Sequence, residues 1–341
     1  MVTAYVYDPL YLQHDTGGHP EKAARLTAIM RTLKEGGLLE EVTRVDARDA
    51  TRSELQEIHE GTYVERVRRI AEEGGAWLDG DTYVSSGSYD AAVRAAGGLL
   101  ALLDSIMKGE VDDGFALVRP PGHHALPDRG MGFCIFNNVA IAASVAIARH
   151  GLNRVLIVDY DVHHGNGTSD AFYSDPSVLY FSAHQYPYYP GTGHWSETGV
   201  GEGEGYTVNV PLPTGVGDEG YRRVFEELLV PIALRYDPEL ILVSVGYDAH
   251  WRDPLAHMRL SLAGYGALAS MLKELANEVC EGRIGFTLEG GYDLEAQANG
   301  VLNTFRALQG QEMDDKLGPA PGSEPDIDAL LQTIRGVHGL Q

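Results

Sequence analysis

Cysteine is scarce in this sequence, which has only Cys134 and Cys280 among its 341 residues. Two cysteines without CxxC spacing exclude a disulfide framework and a zinc site built from several thiolates. Basic residues are also few. The sequence has 26 lysines and arginines and 49 acidic residues, which gives a formal net charge of −23. Contacts to phosphate need basic patches, so this balance argues against nucleic acid as a partner and is compatible with cationic substrates.

Long apolar runs of the kind that span a membrane are missing as well. The stretch 131–148 is free of charged side chains, but it carries Asn137, Asn138 and many small residues. We therefore interpret it as a loop followed by a buried helix. The first residues, MVTAYVYD, lack the basic start and apolar core of a secretory signal. From these absences we expect a cytoplasmic protein that does not enter the membrane.

Short apolar runs alternate with amphipathic or alanine-rich stretches along the chain. Seven runs are predicted to be strands: 4–7, 114–118, 155–158, 178–182, 207–210, 240–245 and 284–288. Seven stretches are predicted to be helices: 21–34, 61–73, 88–107, 138–150, 218–236, 261–278 and 294–308. This alternation predicts an α/β fold with a mostly parallel sheet, in which ligands bind beyond the C-terminal ends of the strands. Since no linker is visible, we expect one domain over residues 1–341.

The segment 154–168, RVLIVDYDVHHGNGT, joins a buried strand to a polar end. Side chains two residues apart in an extended chain point the same way, so Asp159, Asp161 and His163 should project together. Three such groups beside a buried strand are costly unless something compensates their charge, and a divalent metal would do so. A hydrogen-bonded polar strand end is the alternative if this segment is considered alone.

Four other predicted strands also end in residues that can carry chemistry. Each end taken singly has a structural explanation. Together with the segment 154–168, they supply two carboxylates and one histidine for a metal, two further histidines and a tyrosine, which is the composition of a hydrolytic site. These ends are RPPGHH at 119–124, SAH at 182–184, GYD at 246–248 and EGGY at 289–292.

In chain order, the sequence carries RPPGHHA with GFCIFNN, DYDVHHGNGT, VSVGYDAHWRDPL and LEGGYD. These motifs resemble those of the zinc-dependent histone deacetylase family, most closely its class II and bacterial members, which include acetylpolyamine amidohydrolases. Upstream, His19, Pro20, Glu21 and Arg25 also fit, although Ala23 stands where a second proline is common. The resemblance implies the arginase/deacetylase-like three-layer α/β fold with a central, mostly parallel eight-stranded sheet.

The resemblance implies a hydrolase that removes acetyl groups from acetyl-lysine, acetylated polyamines or other small amines by means of a metal-activated water. Asp161, His163 and Asp248 would bind one Zn²⁺ per chain, and Fe²⁺ is the other ion that this ligand set suits. The partners implied by the resemblance are acetylated lysine or polyamine substrates. Whether the chain forms homo-oligomers stays open, because the long loop 185–205 can shape either a tunnel or a dimer contact.

The resemblance also assigns the proton-transfer groups. His124 would act as general base and then general acid, with Asn166 as its partner. His123 would give electrostatic support, oriented by Asp159. The asparagine is the class II pattern, so the two histidines should differ in basicity. Tyr292 would donate a hydrogen bond to the developing oxyanion.

Further positions are implied by the resemblance alone. Structural K⁺ or Na⁺ ions would lie at two places: one at Asp159, Asp161, His163 and Ser182, the other at Phe172, Asp175, Val178 and Tyr206. Substrate would contact Gly132, Phe133, Tyr189, Leu255, Asp81 and Arg25. The alternatives are ordinary packing for the aromatic residues, a turn for Asp81 and a structural ion pair for Arg25. Leu255 stands where one polyamine-selective branch has a glutamate, so that kind of selectivity is not encoded.

Two other classes of function are alternatives to a hydrolytic deacetylase. Dimanganese ureohydrolases share the fold but need an Asp-x-His-x-Asp pattern, and Gly165 occupies the place of its last aspartate. An inactive deacetylase-like binding protein should have lost a ligand, a catalytic histidine or the tyrosine, and this chain keeps all of them.

Overall fold

A computed structural model describes residues 2–340, in which ten strands are found. They are β1 (Thr3–Val6), β2 (Thr43–Val45), β3 (Gly75–Trp77), β4 (Tyr83–Ser85), β5 (Asp113–Ala116), β6 (Val155–Asp159), β7 (Val178–Gln185), β8 (Thr207–Leu212), β9 (Leu240–Val245) and β10 (Ile284–Leu288). Eight of them form one sheet in the order β2-β1-β5-β10-β9-β6-β7-β8, and every neighbouring pair is parallel. The predicted parallel α/β sheet is therefore confirmed.

Helices lie in most of the connections between these strands. They are α1 (Ala24–Glu35), α2 (Arg52–Leu55), α3 (Gly61–Glu72), α4 (Ser88–Met107), α5 (Asn138–His150), α6 (Asn166–Ala171), α7 (Asp218–Val224), α8 (Val230–Tyr236), α9 (Leu262–Val279), α10 (Leu294–Leu308) and α11 (Asp328–Val337). None of the described helices is both long and apolar enough to cross a bilayer.

Helices cover both faces of the sheet, and the side chains of each strand alternate between these two faces. On one face Gly114 and Gly285 lie under α4, and a Cβ added at Gly114 would come within 2.7 Å of Leu102. On the other face Phe115 packs against Phe305 of α10, with ring centroids 5.7 Å apart. The result is a three-layer arrangement whose C-terminal strand ends lie at one edge.

Three short strands, β2, β3 and β4, were not predicted, and one predicted helix is irregular in its interior. Strand β2 was not predicted, because it is a three-residue edge strand with a polar, exposed sequence and no apolar run. The helix predicted over 218–236 is α7 and α8 joined by a π-helical turn, Phe225–Leu229. Pro231 follows this turn, and its missing N–H cannot continue the regular hydrogen-bond pattern.

Candidate active site

Three potential metal ligands converge where the neighbouring strands β6 and β9 end. His163 Nδ1 lies 3.1 Å from Asp161 Oδ1 and 3.3 Å from Asp248 Oδ2. The other carboxylate oxygens are held by peptide N–H groups: Gly290 donates to Asp161 at 2.8 Å, and Val162 donates to Asp248 at 3.0 Å. The remaining donor atoms therefore face one common point.

The charges in this cluster fit a cation. Burial, followed by the nearby Asp161 carboxylate, raises the pKa of Asp248. Burial alone would lower the pKa of His163, but the two carboxylates outweigh it and raise that pKa to about 10. Asp248 Oδ2 is buried and accepts no hydrogen bond. Ligands placed tetrahedrally at about 2.0–2.1 Å from zinc lie roughly 3.3 Å apart, close to the separations seen here. The three side chains therefore fit one small divalent metal.

Two adjacent histidines lie beside this cluster, with ring centroids 4.0 Å apart. His123 Nδ1 is 3.0 Å from Asp159 Oδ2, and His124 Nδ1 is 2.8 Å from Asn166 Oδ1. Because a carboxylate or an amide oxygen only accepts, each Nδ1 must carry the hydrogen. Each Nε2 is thus left free, and that of His123 lies 3.8 Å from Asp161 Oδ1.

The unlike partners give the two histidines different basicities. Burial would lower the pKa of His123, but Asp159 and Asp161 raise it to about 10. His124 has only an amide partner, and burial together with the positive charges of His123 and His163 holds its pKa well below the ordinary value. The unlike partners therefore favour a cationic His123 and a neutral His124 at neutral pH.

Tyr292 is brought to the same place by a glycine turn after β10. Gly291 has φ 112°, a conformation that favours glycine, and a Cβ there would lie 2.8 Å from Tyr247 Cβ. The Tyr292 ring lies edge-on to Phe133, with centroids 5.7 Å apart. Burial raises the pKa of the phenol well above its ordinary value, so the hydroxyl stays protonated and can donate a hydrogen bond.

A narrow cavity of about 80 Å³ reaches these groups from the surface. On its wall Tyr189 lies edge-on to His124, with centroids 5.2 Å apart. Of the predicted substrate contacts, all except Arg25 line this cavity. Its lining consists of Asp81, Pro121, His123, His124, Gly132, Phe133, Cys134, Asp161, His163, Tyr189, Leu255, Gly290 and Tyr292.

The sequence profile of the histone deacetylase domain matches residues 19–308. The chain belongs to the histone deacetylase family. It is 46% identical over 318 residues to histone deacetylase 14, chloroplastic, of Arabidopsis thaliana, a match covering 88% of this chain and 75% of that protein. It is 39% identical over 333 residues to polyamine deacetylase HDAC10 of Homo sapiens, covering 94% of this chain and 49% of that protein.

A solved structure agrees with this family assignment. The crystal structure of the HDA15 HD domain matches with a TM-score of 0.88 at 38% identity, covering 99% of this chain and 94% of that chain. The predicted family and its three-layer fold are therefore confirmed. Members of the family are deacetylases and are generally metal-dependent, which agrees with the charge requirement of the cluster.

The backbone of this histone deacetylase family member forms part of the tunnel wall. Gly132 and Phe133 have φ values of 56° and 71°, so two consecutive residues adopt the left-handed conformation. A Cβ at Gly132 would lie 2.4 Å from Cδ2 of His124, which only glycine avoids. The Phe133 N–H donates to Thr82 Oγ1 at 3.0 Å, which ties this turn to the segment that carries Asp81.

Arg25 lies behind the tyrosine turn and outside the tunnel lining. Its Nε donates to the Gly291 carbonyl at 2.8 Å, and one terminal nitrogen donates to the Glu289 carbonyl at 2.5 Å. Another terminal nitrogen lies 3.2 Å from Glu21 Oε1, and the guanidinium carbon is 5.1 Å from the centre of the Tyr292 ring. These contacts form the structural ion pair that was the alternative for Arg25. Its contact with substrate stays a prediction.

Two buried carboxylates hold the site together, and sequence reasoning assigned them no role. Glu289 Oε2 accepts the N–H groups of Gly122 and His123, at 2.7 and 3.2 Å. Asp253 Oδ2 accepts the N–H groups of Tyr292 and Asp293, at 2.7 and 3.2 Å. Both residues lie inside the recognised motifs LEGGYD and WRDPL, which is the signal that could have indicated them.

The predicted monovalent-cation positions lie in two groups. Asp159 and Ser182 are register partners in β6 and β7, directly before Asp161 and His163. The second set surrounds the start of β7 and of β8: Phe172, Asp175, Val178 and Tyr206. Here the Phe172 carbonyl accepts the Asp175 N–H at 3.0 Å, and the Tyr206 carbonyl accepts the Tyr180 N–H at 2.9 Å. Binding of K⁺ or Na⁺ at either set stays a prediction.

Proposed function

We propose that this chain is a hydrolase that removes acetyl groups from acetyl-lysine, acetylated polyamines or similar amines with one bound Zn²⁺, for which Fe²⁺ can substitute. The observation that carries the proposal is the meeting of a neutral histidine, a charged histidine and a tyrosine hydroxyl around the Asp161, His163 and Asp248 cluster. That combination supplies a base, an electrostatic stabiliser and an oxyanion donor at the end of one narrow tunnel.

Asp161, His163 and Asp248 would hold the metal, which when bound polarises the acyl carbonyl and acidifies the attacking water. Neutral His124 takes a proton from that water at Nε2 as the oxygen adds to the acyl carbon. The same nitrogen then returns the proton to the amine nitrogen as the C–N bond breaks, which releases acetate and the free amine. His123, already a cation, stabilises the negative charge that develops between these steps.

The dimanganese alternative receives no support from the site. A ureohydrolase would need an aspartate at position 165, and a Cβ there would lie 2.2 Å from Asp159 Oδ2. A carboxylate therefore has no room without displacing the partner of His123. The scaffold alternative also lacks a favouring observation, because each side chain that the proposed reaction needs is present and converges on the tunnel.

The function is tested by measuring acetate release after the metal has been removed with a chelator and restored with Zn²⁺ or Fe²⁺. We expect hydrolysis of an acetyl-lysine peptide or an acetylated polyamine only after metal is restored, with one equivalent bound per chain. Urea release from a guanidino substrate, with two equivalents of metal per chain, would contradict the proposal.

Tyr292→Phe keeps the aromatic ring but deletes its hydroxyl. We expect kcat to fall about 10²–10³-fold, since one oxyanion donor is lost, with little change in KM because the neutral amide needs that donor less. Steady-state kinetics on an acetyl-lysine peptide measure both values. Tyr236→Phe is the matched control, because that hydroxyl donates to the Pro176 carbonyl away from the site and should leave kcat unchanged. A normal kcat in Tyr292→Phe would remove the tyrosine from the mechanism.

A further inference from the structure

The hairpin formed by β3 and β4 presents an aromatic pair to the outside. Trp77 is 55% exposed, the highest value for a large apolar side chain in residues 2–340. Its register partner is Tyr83, and the two ring centroids are 5.1 Å apart at 58°. Of the neighbouring register pair, Val84 is fully buried whereas Ala76 is exposed. Val84 therefore anchors the hairpin to the core, while Trp77 is exposed and Tyr83 is half-buried beside it.

The turn of this hairpin, which follows Trp77 and precedes Tyr83, reaches the tunnel. Asp81, in the hairpin turn, lines the tunnel. Tyr83 is two residues further on, so its Cα lies within about 7 Å of that of Asp81. The Thr82 hydroxyl between them accepts the Phe133 N–H at 3.0 Å, which joins the hairpin to the tunnel wall. A substrate whose acylated side chain enters the tunnel would thus carry its neighbouring residues past Trp77 and Tyr83.

The charge around the pair is negative and unpaired. Asp79 is exposed, and its Oδ1 accepts the N–H groups of Asp81 and Thr82 at 3.0 and 2.7 Å. Burial and then the Asp79 carboxylate raise the pKa of Asp81, so a nearby positive charge would stabilise its ionised form. Within residues 2–340 no lysine or arginine forms an ion pair with either carboxylate. Aromatic faces with carboxylates beside them attract cationic side chains.

We propose that the Trp77–Tyr83 pair binds a lysine or arginine side chain that lies a few residues from the acyl-lysine in a polypeptide substrate. This inference rests on the proposed deacetylase function and narrows its substrate class to basic peptide segments over free acylated polyamines. At about 3.3 Å per residue, the ~7 Å between the Cα atoms of Asp81 and Tyr83 corresponds to about two residues of an extended substrate segment.

Three acetyl-lysine peptides that differ only in carrying Arg, Ala or Glu at the flanking positions test the proposal, with N-acetyl-lysine and an acetylated polyamine as substrates without flanks. We expect the wild type to prefer the Arg peptide in kcat/KM. Trp77→Ala should lower kcat/KM for that peptide about 3- to 30-fold, through KM, and leave the substrates without flanks unchanged. Leu234→Ala removes another exposed apolar side chain, on α8, and should change none of these values.

The direct binding of the same peptides, measured by calorimetry, separates this proposal from the proposed function. If the chain hydrolyses no acetylated amine but Trp77→Ala still binds the Arg peptide more weakly than the wild type does, the proposed surface is supported and the deacetylase function is rejected. Equal kcat/KM for the Arg, Ala and Glu peptides would overturn the proposed surface, as would an equal loss in Trp77→Ala for every substrate. Trp77→Phe, which keeps an aromatic face, should retain part of the preference for Arg.

Discussion

Asp248→Ala is expected to abolish both metal binding and amide hydrolysis. The residue supplies one of the three converging donor atoms, and its Oδ2 has no hydrogen-bond partner that could account for its burial. Removing it leaves Asp161 and His163, too few ligands to hold an ion in one defined geometry. Elemental analysis of the purified protein and acetate release from an acetyl-lysine peptide measure the two losses.

Asp113→Asn is the matched control for this variant. Asp113 is also a fully buried carboxylate, but it lies at the N-terminal end of β5 and pairs with Lys273 at 2.6 Å. Its replacement should lower thermal stability and leave the metal content at one equivalent per chain. Full turnover by a metal-free Asp248→Ala protein would contradict the assignment of the ligand set.

His124→Ala is expected to lower kcat by about 10²–10⁴-fold while metal stays bound. The imidazole lines the tunnel and is the neutral member of the histidine pair, so its loss removes the proton carrier without removing a metal ligand. Steady-state kinetics together with elemental analysis distinguish these effects. His150→Ala, at the far end of α5, removes a histidine paired with Asp104 and should leave kcat unchanged.

The pH dependence of the same reaction gives an independent test of this role. Asn166→Asp would place a carboxylate at the Nδ1 of His124, where an amide oxygen now lies at 2.8 Å. A nearby negative charge favours the imidazolium form and therefore raises the pKa of His124. Because the base must be neutral to act, the acidic limb of kcat/KM should move to higher pH in this variant. An unmoved limb would show that another group takes the proton.

Much of the fold follows from local sequence. Strands buried on both faces read as continuous apolar runs, and seven of the eight strands of the sheet were predicted in this way. Strand β2 was missed because an edge strand needs no apolar run, and the π turn between α7 and α8 was missed because the chain is helical on both sides of it. Local pattern indicates an element but says little about its irregularities.

The chemistry of the candidate site was also readable in the sequence, because parallel strands place their C-terminal ends at one edge and the polar motifs follow those ends. Only the tertiary structure decided which of them meet. The order β10-β9-β6 puts Tyr292, Asp248 and His163 side by side, although up to 129 residues separate them along the chain. Glu289 and Asp253 accept hydrogen bonds from backbone N–H groups. The role proposed for Trp77 depends on its exposure. Neither a backbone partner nor an exposed face has a sequence signature, since both depend on which distant segments the folded chain brings into contact.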